Sequence, residues 1–173
     1  MIPSKQFVEL NKSIHDRRSF DCGEAELNTF LQEPAARHRK AGISKTMVLP
    51  EDTGDDTAAI CAYYTLSHTE IMREKLPKKM AKRLPAYPIP VMLLAQLAVH
   101  QVCQGQKLGE ATLITALKDA LNINHYLPCY AVVVDSIALD VQVFYEQYGF
   151  QELGRHNGRV RLFLPMKTVE QLI

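Results

Sequence analysis

The chain has no tryptophan, no Cys-x-x-Cys pair and no long apolar run. Its longest apolar stretch, Val91 to Val99, is broken by Gln96, whereas a membrane-spanning helix needs about twenty apolar residues. Met1-Ile2-Pro3-Ser4-Lys5 lacks the apolar core of a secretory signal, so a cytoplasmic protein without a membrane anchor is expected. Cys22, Cys61, Cys103 and Cys129 have neither disulfide-framework nor zinc-site spacing and read as reduced, mostly buried thiols. His15, His38, His68, His100, His125 and His156 are scattered without ligand spacing, so no metal is expected. There is no Gly-x-Ser-x-Gly elbow and no Walker loop. Net charge is nearly absent as well, at +1.

What is present fits one packed domain spanning residues 1–173. The 173 residues are 47% hydrophobic and 23% charged, enough apolar material for a sizeable core. The charge is unevenly placed. Arg73, Lys75, Lys78, Lys79, Lys82 and Arg83 face a single acid, Glu74, in eleven residues, so this stretch carries +5 and the rest of the chain −4. Such a patch attracts polyanions.

Asp21 with Glu24 three residues on reads as a capping box, followed by the helical stripe Leu27, Phe30 and Leu31. Pro34 must kink that helix or open a second one running to Gly42. Lys45 to Leu49 and Ala58 to Ser67 read as strands joined by the polar turn Glu51 to Asp56. In the second strand Ile60, Ala62, Tyr64 and Leu66 share one face. The basic stretch leads to Pro85, Pro88 and Pro90 and suits an irregular connection. Then come a buried strand at Met92 to Val99 and an amphipathic helix from Leu108 to Leu121. A second buried strand at Cys129 to Val134 precedes a helix from Ile137 to Tyr148, stopped by Gly149. Phe150 to Leu153 and Arg161 to Leu164 suit a hairpin across His156-Asn157-Gly158. The alternation predicts an α/β protein built on a mixed sheet.

Two segments carry chemistry. In Leu97-Ala98-Val99-His100-Gln101-Val102-Cys103-Gln104-Gly105-Gln106-Lys107-Leu108-Gly109-Glu110, an apolar strand enters a polar loop that opens a helix. Loop amides and the first helical N–H groups then converge on one spot, a natural seat for a pyrophosphate. The run Gln104-Gly105-Gln106-Lys107-Leu108-Gly109 resembles the acetyl-CoA motif of GNAT N-acetyltransferases, Gln/Arg-x-x-Gly-x-Gly/Ala, except that Lys107 stands where the pattern has its first glycine. Phe144-Tyr145-Glu146-Gln147-Tyr148-Gly149-Phe150 resembles the Phe-Tyr-x-x-x-Gly-Phe signature late in the same domain. Phe20-Asp21-Cys22-Gly23 with Leu27-Asn28 and Phe30-Leu31, Ala62-Tyr63-Tyr64-Thr65-Leu66-Ser67, and Ile89-Pro90-Val91-Met92-Leu93-Leu94-Ala95-Gln96-Leu97-Ala98-Val99 narrow the likeness to the GNAT toxins of type II toxin–antitoxin systems. The likeness runs from about Phe7 to Met166, with Pro34 and Lys107 as its departures.

That resemblance implies a GNAT acyl-CoA N-acyltransferase fold and an acetyl-CoA cosubstrate. The cosubstrate would be held by Leu97, Ala98, Val99 and the loop Gln104, Gly105, Gln106, Lys107, Leu108, Gly109 and Glu110. Tyr145 would be the general acid that returns a proton to the leaving thiolate. The family acetylates the α-amino group of aminoacyl-tRNA and so inhibits translation. Arg37, Lys40, Lys45, Arg73, Lys78, Lys79, Lys82 and Arg83 are the residues expected to hold the tRNA. A ribbon-helix-helix antitoxin and a homodimer follow from the same likeness. His100 reads as a loop histidine rather than a base. Two other readings stay open: acetylation of a small amine or protein N-terminus, and a non-catalytic acetyl-CoA-binding regulator.

Overall fold

The computed structural model describes every residue from Met1 to Ile173. The chain forms two compact units: Met1–Ser67 with Ala95–Ala116, and His68–Leu94 with Leu117–Ile173. Its sheet strands pair both parallel and antiparallel and are accompanied by six α-helices, the mixed α/β class expected.

In the first unit, β1 (Val8–Glu9) lies antiparallel to β3 (Lys45–Pro50), and β3 lies antiparallel to β4 (Ala58–Ile71). The short β2 (His15–Asp16) runs parallel to the start of β4. β4 is longer than its apolar pattern indicates, and Ile60 through Thr65 are all buried. The one-face reading of Ile60, Ala62, Tyr64 and Leu66 is therefore too narrow: Cys61 and Tyr63 are covered as well. Phe20, Leu31, Val48, Ile60, Tyr63 and Ala98 form one core, and the Tyr63 hydroxyl donates to the Leu27 carbonyl at 2.7 Å.

The capping box does not form. Helix α1 (Ala25–Gln32) begins after Glu24, which supplies no side-chain cap. Asp21 Oδ1 instead accepts from the Gly23 amide and from Asn28 Nδ2, and Asn28 Oδ1 accepts from the Cys22 amide. The asparagine one turn into the helix reaches back and fixes the entry loop that Glu24 was expected to close. Pro34 opens a second helix, α2 (Pro34–Ala41), where a missing N–H costs nothing, and Gly42 ends it at φ +77°.

In the second unit, the part of β5 (Ile89–Val99) up to Leu94 pairs parallel to β6 (Ala131–Ser136) through Met92↔Val132 and Leu93↔Val133. β6 pairs antiparallel with β8 (Arg159–Pro165), which in turn pairs with β7 (Gln151–His156). The β7–β8 hairpin turns on Asn157 and Gly158, both with positive φ, a primed turn matched to strand twist. The basic stretch is more ordered than expected. A 3₁₀ turn at Arg73–Lys75 leads to the single helical turn α3 (Lys78–Ala81). Leu76, Met80 and Leu84 pack against Ile71, Ile89, Val91, Ala131, Val133 and Phe163, leaving Lys75, Lys78, Lys79, Lys82 and Arg83 in solvent. α4 (Leu108–Tyr126) and α5 (Leu139–Glu146) fall where predicted, the former five residues longer and the latter two residues shorter at each end. A last helix, α6 (Met166–Leu172), buries Met166 and Val169 and was not foreseen.

Candidate active site

The loop between β5 and α4 is braced from four sides. The His100 amide donates to the Cys61 carbonyl, and the Gln101 amide to the Asp21 carbonyl, each at 2.8 Å. A short 3₁₀ turn, Gln101–Cys103, then drops the Cys103 side chain into a core with Leu49, Cys61 and Ala62. Burial, with the Cys103 thiol beside it, pushes Cys61 up to about 12, so this thiol is a protonated core group and not a nucleophile. Gln104 Nε2 donates to the Val99 carbonyl at 2.9 Å and to the Cys22 carbonyl at 3.1 Å. Its own amide donates to Gln101. The motif glutamine is thus a staple of the loop, with its donors turned inward. Gly23 turns the chain beside Gln101 at φ +91°, a conformation that any side chain would strain.

Beyond Gln104 the arrangement reverses. The amides of Gly105, Gln106, Lys107, Leu108, Gly109 and Glu110 make no hydrogen bond within the protein; the first engaged amide is that of Ala111, which donates to the Lys107 carbonyl at 3.1 Å. Six successive free donors thus stand at the start of a nineteen-residue helix, the end where the helix dipole favours an anion. Gly105 has φ +80° and open space where a Cβ would sit. Lys107 has φ +59°, the left-handed conformation a glycine would adopt without strain. The departure from the motif is therefore one of side chain, not of backbone path. Lys107→Gly is expected to raise stability by about 0.5–1 kcal/mol, read as a higher urea midpoint at unchanged slope.

Tyr145 sits on α5 and is 5% exposed. Its ring meets Phe144 at 5.2 Å and Phe150 at 5.3 Å between centroids. Gly149, at φ +94°, lets the chain turn back so that Phe150 can pack there. Burial pushes the Tyr145 phenol well above its ordinary value, so it holds its proton throughout the physiological range.

The predicted cationic residues divide between the two units. In the first, Arg37 approaches Glu33 at 3.7 Å and Lys45 approaches Glu9 at 3.6 Å, while Lys40 is exposed. In the second, Arg73 is partly structural, donating to the Leu84 carbonyl at 2.8 Å. Lys78, Lys79, Lys82 and Arg83 are exposed. Sequence reasoning passed over Lys12, Arg17 and Arg18, which line one groove with Arg37, Arg39 and Lys40. The paired Arg17-Arg18 was the available signal.

A family model described as an acetyltransferase (GNAT) domain matches residues 91–169. The chain is 31% identical to KacT, whose crystal structure as a tyrosine-to-phenylalanine mutant has a TM-score of 0.84 over 92% of both chains. The chain belongs to the GNAT acetyltransferase family and is an acetyl-CoA-dependent N-acetyltransferase. Narrower likenesses follow. AtaT complexed with acetyl-methionyl-tRNAfMet is 28% identical, with a TM-score of 0.86 over 96% of this chain and 98% of that one. AtaTR bound with AcCoA is also 28% identical, with a TM-score of 0.82 over 96% of each chain. The probable toxin TacT of Sinorhizobium fredii is 25% identical over 98% of this chain and 96% of its own length.

Proposed function

We propose that this protein is the toxin of a type II toxin–antitoxin pair, and that it transfers the acetyl group of acetyl-CoA to the free α-amino group of aminoacyl-tRNA, stopping translation. The observation that carries the reading is the near full-length likeness to AtaT, whose complex holds an acetylated aminoacyl-tRNA. In this reading residues 1–173 act as one acetyltransferase domain in the cytoplasm; no helix is long and apolar enough to cross a membrane.

The cosubstrate's pyrophosphate accepts from the six free amides of Gly105–Glu110, and Leu97, Ala98 and Val99 lie along its pantetheine arm. The Val99 carbonyl keeps one lone pair for Gln104 and one for the ligand. The amine nitrogen attacks the thioester carbonyl carbon. The C–N bond forms, the C–S bond breaks, and the nitrogen gives up a proton to water. Tyr145 protonates the departing thiolate and is reprotonated from solvent. An α-amino group titrates near 8, and esterification of the adjacent carboxyl lowers it further, so much of it is neutral without a protein base. Arg37, Lys40, Lys45, Arg73, Lys78, Lys79, Lys82 and Arg83 supply the phosphate contacts. A ribbon-helix-helix antitoxin and self-association into a homodimer complete the picture that the family likeness supports.

The test is transfer of label from acetyl-CoA to a pool of aminoacylated tRNAs. Label on the α-nitrogen of the attached amino acid is expected. Label found only on free amines or peptide N-termini refutes the tRNA reading while leaving the acetyltransferase intact.

A further inference from the structure

The first unit carries a groove of about 820 Å³ that contains none of the cofactor-loop residues. One wall is the turn after β1 and the segment after β2, which bring Lys12, Arg17 and Arg18. The other is α2, which brings Arg37, Arg39 and Lys40. Only two carboxylates, Glu9 and Glu33, share the lining, so four positive charges are uncompensated there. Even those acids are engaged: Glu9 is bound by Arg39 and lies 3.6 Å from Lys45, and the Arg39 hydrogen bond holds its carboxyl below the usual range. Arg17 is fixed on the Gln32 carbonyl. Lys12 and Lys40 are exposed with no ion-pair partner, and Arg18 is exposed beside Asp16, whose carboxyl its charge helps to hold below the usual range.

The walls are held in place without those three cations. Asp16 Oδ1 accepts from the amides of Arg18 and Ser19 at 3.1 and 3.2 Å. The buried His15 accepts the Asn11 amide on Nδ1 at 2.9 Å, which fixes the turn bearing Lys12. Ala35 and Ala36 keep the α2 wall low, so the groove stays open between its charged rims.

We infer that this groove seats the sugar–phosphate backbone of an RNA, and, given the function proposed above, the backbone of the tRNA substrate. A peptide of comparable charge needs apolar anchors as well, because buried side chains dominate peptide affinity. The apolar lining here is Leu10, Ala35 and Ala36, of which Leu10 packs into the core and Ala35 is buried. Phosphates need only spaced cations on stable supports, which is what the two walls present.

The experiment uses fluorescently labelled deacylated tRNA and the full chain, titrated between 50 and ~300 mM salt. The triple variant Lys12→Ala/Arg18→Ala/Lys40→Ala is expected to bind about tenfold or more weakly near 150 mM salt. The slope of log affinity against log salt should flatten by about 2–3, roughly one per lost phosphate contact. The charge-keeping variant Lys12→Arg/Arg18→Lys/Lys40→Arg should restore both. Acetyl-CoA affinity measured alongside reports that the triple variant is folded. Wild-type tRNA affinity and slope in the triple variant overturn the assignment, even if aminoacyl-tRNA is acetylated. Weakened, less salt-sensitive binding upholds it, even if acetyl transfer to aminoacyl-tRNA is never seen and the functional reading falls.

Discussion

Tyr145→Phe is expected to lower acetyl transfer by about 10²–10⁴-fold while acetyl-CoA still binds, the usual worth of a positioned acid. The substitution removes one oxygen from a ring packed between Phe144 and Phe150, so the apolar contacts survive. The pH profile gives a second readout. Burial raises the phenol above its ordinary value near 10, so the acid remains protonated until the solution is strongly alkaline. The wild-type rate should therefore climb as the substrate amine loses its proton and show no descending limb up to about pH 10. A variant that keeps near-wild-type turnover removes Tyr145 from the mechanism. A wild-type descending limb near neutrality assigns the proton to another group.

The second large effect concerns stability. Asp135 on β6 and Arg161 on β8 face each other in register and form a two-pronged pair at 2.7 and 2.8 Å. Their side chains are only 21% and 10% exposed. Asp135→Ala leaves a guanidinium desolvated and uncompensated and should cost about 3 kcal/mol, a large share of what holds an average domain. Replacing both residues by apolar ones of similar volume should recover most of that loss, because the desolvation penalty leaves with the charges. Urea midpoints of the single and double variants decide the matter. A single-variant loss under about 1 kcal/mol means that water reaches the pair and screens it.

Features set by a few neighbouring residues were readable from the chain. Asn157-Gly158 dictates a primed turn, Pro34 opens a helix, and the strand–loop–helix around Gly105 needs only local geometry. The family pattern located Tyr145, but the pattern alone could not say that Lys107 takes the left-handed backbone of the glycine it replaces. What escaped the sequence depends on distant partners. Asp21 looked like a helix cap until Asn28 proved the better-placed donor. β1 and β2 are two residues each and exist only because β3 and β4 offer them edges. The groove joins Lys12 to Lys40 across a helix and two loops, so neither member announces the other. Exposure of the lysines around α3 depends on Leu76, Met80 and Leu84 turning inward together, which their spacing of four hints at and prolines obscure.

The six free amides ahead of Ala111 have a further consequence for the protein that carries them. A helix begun without a side-chain cap keeps its first turn only weakly. The sequence has left out a Ser, Thr, Asp or Asn at the entry to α4 and placed Lys107 there instead. In deuterated solvent, amides at the front of α4 should exchange fastest along that helix and slow sharply once a diphosphate accepts from them. In the binding mode proposed above, the cosubstrate would be the missing cap: one end of the longest helix would be completed by the molecule the enzyme consumes.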